Sequence, residues 1–288
     1  MRSVNLHLRA AAAADAAILG DICYRAFYTL ATAHGFPPDF SNAEAAIGMM
    51  TRLVVHKGFF SVVAEIDGKV VGSNFLDARG PISAVGPITV DPIVQNDGVG
   101  RAMMEAVMQR SRELNLAGIR LVQAGYHNRS LALYLKLGFT AREHLACLKG
   151  AAIGKSVPGR IVRAATAADI AACNELCLRV HGHTRSGEVA DALAGGLTRV
   201  VQSGARLTGY TTALDFSGHS VGESNADLQA LFGAAESFPG AGVLVPTRNS
   251  DLMRWCLGEK LRITQTLTLM SSGLYNHPNG AWLPSILY

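Results

Sequence analysis

Two glycines in the run Gln95-Asn96-Asp97-Gly98-Val99-Gly100-Arg101 have the spacing that points most directly to chemistry in this chain. The run stands between a strand-like stretch, Ile88-Thr89-Val90-Asp91-Pro92, and a helix-like one, Ala102-Met103-Met104-Glu105-Ala106-Val107-Met108. Strand, glycine loop and helix in that order make an anion cradle. Glycine lacks the Cβ that would hold a ligand off the backbone, and the N–H groups at the helix start point at the same spot. The chemistry implied is the binding of a phosphate-bearing ligand. A lone Gly-x-Gly before a helix also serves as an ordinary tight turn.

Spacing separates the nucleotide ligands. A Walker loop ends in Gly-Lys-Ser/Thr, whereas Gly100 is followed by Arg101 and Ala102, with no hydroxyl for magnesium. A dinucleotide fingerprint needs a third glycine three positions after the second, where this chain has Met103. Gln95-x-x-Gly98-x-Gly100 instead resembles the Gln/Arg-x-x-Gly-x-Gly/Ala loop of the Gcn5-related N-acetyltransferase (GNAT) family. Downstream, Asn128 to Phe139 contains Leu133-Tyr134-Leu135-Lys136-Leu137-Gly138-Phe139, which looks like that family's Leu-Tyr-x-Lys-x-Gly-Phe helix end. Near the start, Arg9-Ala10-Ala11 followed by Asp15 resembles its Arg-x-Ala-x-x-x-Asp opening, so the resemblance spans roughly residues 4 to 149.

The resemblance implies an α/β (α+β) fold, with a mixed central sheet flanked by helices and an opening between two splayed parallel strands. It implies acetyl-CoA as co-substrate and no metal. Backbone groups around Ile88 and Val90 would pair with the pantetheine amides. Gln95, Asn96, Asp97, Gly98, Val99, Gly100 and Arg101 would hold the pyrophosphate. Tyr134 matches the family position that donates a proton to the departing CoA thiolate, and a backbone N–H near Val90 would polarise the thioester carbonyl. Seven residues before Tyr134, where the family often has asparagine, stands His127, with Asn128 next; either could reach the cofactor, and His127 also suits a surface loop.

Glu65, Asp77 and Asp91 lie near strand ends that could face the cleft, although Asp91, just before Pro92, reads better as a solvated loop carboxylate; none is singled out as the base, and a water chain or a neutral amine would serve equally well. Tyr24, Tyr28, His34 and Phe36 are candidates for the acceptor side or for the core. The acceptor itself, a small amine or a peptide amine, is not legible. The function implied is transfer of acetyl from acetyl-CoA to a primary amine, and the alternative is a non-catalytic acyl-CoA-binding regulatory module.

Elements to carry these residues can be read along the first half. Leu19 to Ala31 has apolar positions spaced for one helical face. Phe59–Ile66 and Lys69–Leu76 flank Asp67-Gly68, a hairpin turn pair. The helix after the glycine loop runs to about Leu114, and Ile119–Ala124 reads as the next strand.

The chain then repeats. Arg9-Ala10-Ala11-x-Ala13-Ala14-Asp15 recurs as Arg163-Ala164-Ala165-x-Ala167-Ala168-Asp169, and the same shift pairs Cys23 with Cys177 and Arg25 with Arg179. Asn128-x-x-Leu131-x-x-Tyr134 recurs as Asn249-x-x-Leu252-x-x-Trp255 at a smaller shift, so the second copy is shorter in between. It has a strand-like Leu207–Thr212, then Gly218–Glu223, then a helical Ala226–Phe232. The glycine loop is missing, and Trp255 replaces the tyrosine with an indole that does not titrate usefully. These features predict two tandem GNAT-like acyl-CoA N-acyltransferase domains: 1–149 with an intact acetyl-CoA loop, 150–160 a Gly/Pro-containing linker, and 161–288 a degenerate copy. The apolar tail Gly280–Tyr288 is expected to pack onto one of them.

Composition bounds the rest. A chain of 288 residues, 49% hydrophobic and 17% charged, can bury a sizeable core. A net charge of +4, not gathered in runs, gives no nucleic-acid footprint. Five cysteines without a CxxC pattern suit a reducing compartment, and Cys173 and Cys177 read as small core residues. No apolar run is long enough to span a bilayer, and the start lacks a signal-peptide layout. The expectation is a cytoplasmic protein, without nucleic-acid or membrane partners, acting as a monomer or homodimer.

Overall fold

A computed structural model describes residues 5–94 and 98–288. The chain divides into two compact units: Met1–Ala78, Ile82–Arg120 and His127–Phe139 make one, and Arg79–Pro81, Leu121–Tyr126 and Thr140–Tyr288 the other. In order come β1 (Leu6–Arg9), α1 (Ala16–Ala33), α2 (Ala43–Val55), β2 (Phe59–Ile66), β3 (Lys69–Asp77), β4 (Ile82–Val85), β5 (Thr89–Val90), α3 (Val99–Glu113), β6 (Gly118–Ala124), α4 (Asn128–Lys136) and β7 (Thr140–Lys149). Then follow β8 (Ile161–Ala164), α5 (Ile170–His181), α6 (Ser186–Ala194), β9 (Arg199–Ser203), β10 (Arg206–Thr211), β11 (Ser220–Gly222), α7 (Asn225–Ala234), β12 (Val243–Pro246), α8 (Ser250–Gly258), β13 (Arg262–Gly273) and β14 (Ala281–Leu283). The architecture is mixed α/β, with a mixed sheet and flanking helices. Among the described residues no helix is long and apolar enough to cross a membrane.

The first unit grows from the predicted hairpin. Asp67 and Gly68 both have positive φ (50° and 75°), the conformation whose twist matches two right-twisted strands. β2 and β3 pair antiparallel from Phe59 with Asp77 to Ile66 with Lys69, and β1 adds to the other edge of β2. Beyond β3 the sheet forks. β4 pairs β3 antiparallel through Leu76 with Val85, and pairs β6 in parallel from Ile82 with Gly118 to Ala84 with Arg120. β5 pairs instead lower on β3, Gly72 with Val90 and Ser73 with Thr89. The strand-like run at 88–92 is thus shorter than its sequence pattern. Ile88 precedes β5, and Pro92–Val94 turns as a 3-10 segment, since proline has no N–H to give a ladder. On one face, Leu19 and Cys23 of α1 and Ala46 and Met50 of α2 close over Val63 and Phe75.

In the second unit β13 and β12 flank β7, both antiparallel to it, and a five-stranded sheet runs in the order β14-β11-β10-β9-β8. Its core gathers Leu228 and Phe232 of α7, Val245 of β12, and Leu252 and Cys256 of α8. Residues 150–160 form neither helix nor strand, yet Ile153 and Val157 pack on this core and Lys155 N–H donates to the Gly233 carbonyl at 3.1 Å. All five cysteines are free and buried. Burial pushes the Cys173 thiol up to about 12, which suits a core residue.

The repeated opening folds identically. Arg9 Nη1 and Nη2 donate to Asp15 at 2.7 and 2.9 Å, and Arg163 Nη1 and Nη2 donate to Asp169 at 2.8 and 2.7 Å. Each aspartate, the third residue of its 3-10 turn, also reaches back to accept the N–H of the turn's N-cap residue, Ala12 or Thr166, at 2.7 Å. The arginine bonds hold both carboxyls below their ordinary range. A carboxyl whose pKa is lower in the folded chain than in the unfolded one contributes stability above its unfolded value, about 4, and loses it as pH falls further. Urea midpoints measured from pH 6 to pH 3 are therefore expected to drop below about pH 4, and an Asp15→Asn, Asp169→Asn double variant to show a shallower drop.

Candidate functional site

Of the loop residues expected to hold a phosphate, Gln95, Asn96 and Asp97 lie outside the described residues. Gly98 is the N-cap of α3 and sits in the left-handed region at φ 79°, where a residue with a Cβ is strained. It has no side chain to offer the first N–H groups of the helix, so an external anion can take them. Val99 is buried and anchors the helix start, while Met103, Met104 and Val107 continue the buried stripe. Arg101 is half exposed and its guanidinium lies 3.6 Å from Glu105, one turn along the same helix.

Three segments meet at Gly100. A Cβ placed there would lie 3.8 Å from Val90 Cγ2 on β5 and 3.8 Å from Leu133 Cδ2 on α4. The strand, the glycine loop and the helix carrying Tyr134 therefore converge, although the pairs come from sequence positions far apart. β5 is seated by a close approach that the sequence did not advertise. A Cβ on Gly72 would stand 2.6 Å from the Thr89 carbonyl oxygen, so only glycine lets β3 and β5 come this near. Asp91 N–H donates to the Val71 carbonyl at 2.7 Å. In an antiparallel ladder the bonded pairs alternate, so Val90, one step from that pair, turns its N–H and C=O away from β3.

Tyr134 is buried near the end of α4, its ring centroid 6.1 Å from that of Phe139. Gly138 at φ 86° turns the chain back so that Phe139 N–H donates to the Tyr134 carbonyl at 3.0 Å. Burial pushes the phenol well above its ordinary value, so it stays protonated through the neutral range. His127 is the N-cap of α4 and half-buried; its carbonyl accepts from Ser130 Oγ at 2.9 Å. Burial, then the charges of Arg129 and His34, lower its pKa to about 4, which leaves it a neutral imidazole at physiological pH. Asn128 is exposed at the first position of the helix.

The candidate bases are committed elsewhere or withdrawn. Arg25 of α1 grips Asp91 with two bonds of 3.0 Å, which lowers its pKa and makes it a clamp between α1 and the end of β5. That partner lies 66 residues away in sequence, so a solvated loop carboxylate was the natural expectation. Glu65 accepts from Arg9 Nε at 2.8 Å. Asp77 is buried at the end of β3. Of the residues expected on the acceptor side or in the core, Tyr24 packs on the α1–α2 core, whereas Tyr28 is exposed, its ring 5.6 Å from that of Tyr24. His34 is exposed and Phe36 half-buried. Among the described residues no group of three or more His, Cys, Asp or Glu is placed to hold a metal ion.

Residues 56–141, from the start of β2 to the start of β7, match the family model for the acetyltransferase (GNAT) domain. The chain carries a GNAT domain. That span contains the β2–β3 hairpin, the fork, the glycine loop and Tyr134. The fold is shared beyond it: a candidate acetyltransferase from Pyrococcus horikoshii superposes with a TM-score of 0.73 at 17% identity, covering 96% of this chain and 94% of its own. A GCN5-related N-acetyltransferase from Sphaerobacter thermophilus superposes with a TM-score of 0.61 at 13% identity, covering 94% of this chain and 96% of its own. No curated protein matches the chain. The GNAT domain model ends before α5, so at these identities the second half is related to those structures by fold alone.

Proposed function

We propose that the chain is an acetyl-CoA-dependent N-acetyltransferase whose chemistry lies in residues 1–149, with 150–160 as linker and 161–288 as a degenerate copy of the same domain. The observation that carries this reading is the convergence of β5, the glycine-capped start of α3 and the Tyr134 helix at Gly100. It supports a ligand that is extended along a strand at one end and anionic at a helix start at the other, which is the chemistry of coenzyme A. Acetyl-CoA supplies a thioester acetyl group. The first N–H groups of α3, with Gly98 and Gly100 leaving the backbone bare, hold the pyrophosphate. Backbone groups of Ile88 and Val90 align the pantetheine arm. A backbone N–H near Val90 polarises the thioester carbonyl.

A neutral primary amine then attacks that carbonyl; a C–N bond forms and the C–S bond breaks. Tyr134 gives its proton to the leaving sulfur. Burial that keeps the phenol protonated also makes a nearby thiolate costly, so the transfer is favoured where the water is excluded. No carboxylate is named as base, and two of the three near the strand ends, Asp91 and Glu65, are bound by arginines. The amine arrives neutral or loses its proton to water. The tandem arrangement is supported by the order of elements, since β8 to β13 repeat β1 to β7 with one strand in place of β4 and β5. Five free, buried cysteines support a reducing, cytoplasmic setting.

The test is release of free thiol from acetyl-CoA in the presence of a panel of small amines and of peptides with free N-termini or lysines. Turnover with at least one amine is expected. Tight CoA binding without turnover on any of them would favour the acyl-CoA-binding regulatory module instead.

A further inference from the structure

The two halves can be put in register by ion pairs as well as by sequence. Arg25 of α1 reaches Asp91, the residue after β5, and its repeat partner Arg179 of α5 reaches Glu223, the residue after β11, at 3.3 Å. Glu223 thus corresponds to Asp91, Gly222 to Val90 and Ser220 to Ile88. The neighbouring strands agree, because Gly72 of β3 pairs with Val90 and Gly209 of β10 pairs with Gly222.

This register shows what became of each part of the site. β10 takes one edge of β11, as β3 takes one edge of β5. The other edge of β11 is taken by β14: Gly222 pairs with Ala281, Val221 with Trp282 and Ser220 with Leu283. That strand is buried and anchored on both sides, Asn279 N–H donating to the Val180 carbonyl at 2.7 Å and Ile286 N–H to the Phe216 carbonyl at 2.8 Å. The ring of Trp282 meets that of His181 edge-on at 5.4 Å.

The helix start is filled as well. Where α3 is capped by a bare glycine, α7 is capped by Ser224, and the wholly buried carboxylate of Asp227 accepts from Ser224 N–H and Oγ at 2.9 Å each. Its other oxygen takes Arg160 Nε at 2.6 Å and Thr208 Oγ1 at 2.7 Å. An anion therefore already sits at the positive end of α7, supplied by the chain.

We propose that the second half is closed to coenzyme A by the chain itself: the tail strand Ala281–Leu283 occupies the edge that in the first half receives the pantetheine arm, and the Asp227 carboxylate occupies the helix end that there receives the pyrophosphate. This rests on the cofactor reading of the first half. The tail is a built-in stand-in for a ligand, added to a strand edge as a peptide is in β-augmentation, and the closed half serves as scaffold.

Hydrogen exchange of the full chain, with and without saturating CoA, tests it. Residues 219–228 are expected to exchange slowly in the free protein and no differently with CoA, while residues 98–107 slow by about tenfold or more when CoA is added. Fast exchange at 219–228 in the free protein, or slowing there on adding CoA, overturns the closure. Unchanged exchange at 98–107 strikes the cofactor reading of the first half instead, and the closure is still decided at 219–228. A Leu283→Pro variant, which adds a proline to the short tail strand, is expected to speed exchange at 220–222 by about tenfold or more while keeping the CoA effect at 98–107. Unchanged exchange at 220–222 in the folded variant overturns the proposal, and should the variant not fold, the wild-type comparison decides alone.

Discussion

Gly100→Val is expected to cripple coenzyme A binding and to leave the fold standing. Among the described residues beyond its chain neighbours and its own helix backbone, the nearest atoms to the Cβ position at Gly100 lie at 3.8 Å, an ordinary contact distance, so the backbone tolerates a side chain there. The cost falls on the ligand. Two further methyl groups project from the second residue of α3 into the space between that helix start, β5 and α4, where the pyrophosphate has to approach bare backbone. A loss of affinity of about 100-fold or more is expected, equivalent to roughly 2.7 kcal/mol. Circular dichroism and the urea midpoint should stay close to those of the wild type. Wild-type affinity in the folded variant would remove the glycine loop from the site.

Tyr134→Phe separates binding from chemistry. The ring is buried and packs near Phe139, so phenylalanine keeps the shape of α4 and of the cleft wall that Leu133 forms. Only the proton is lost. A general acid contributes about 10²- to 10⁴-fold to turnover, so kcat should fall by that factor while CoA affinity stays within about twofold. Because burial raises the phenol's pKa, wild-type activity should show no alkaline loss from Tyr134 through the neutral range. Unchanged kcat in the variant would leave Tyr134 as a core residue and pass the proton to water.

Local signals made much of the first half legible. Asp67-Gly68 between two β-rich runs can hardly be other than a hairpin turn, and the apolar spacing of Leu19, Ile22 and Cys23 fixes the buried face of α1. The glycine loop and the α4 motif could be read because the family pattern reaches every required position. Non-local features were harder. β7 and β13 went unread, since each finds its partner more than a hundred residues away, as in Leu145 with Leu267. Gly72 carried no mark in sequence, because its need for a missing Cβ comes from the Thr89 carbonyl on another strand. Asp91 resembled a free loop carboxylate until Arg25 was seen to hold it. The apolar tail was expected to pack, but that it pairs with β11 follows only from the register.

Calorimetric titration of the full chain with coenzyme A is the most direct test, because it reads the proposed open first half and closed second half at once. One CoA per chain is predicted, with binding lost in the folded Gly100→Val protein. Two per chain, or one that survives the Gly100→Val change, would contradict it.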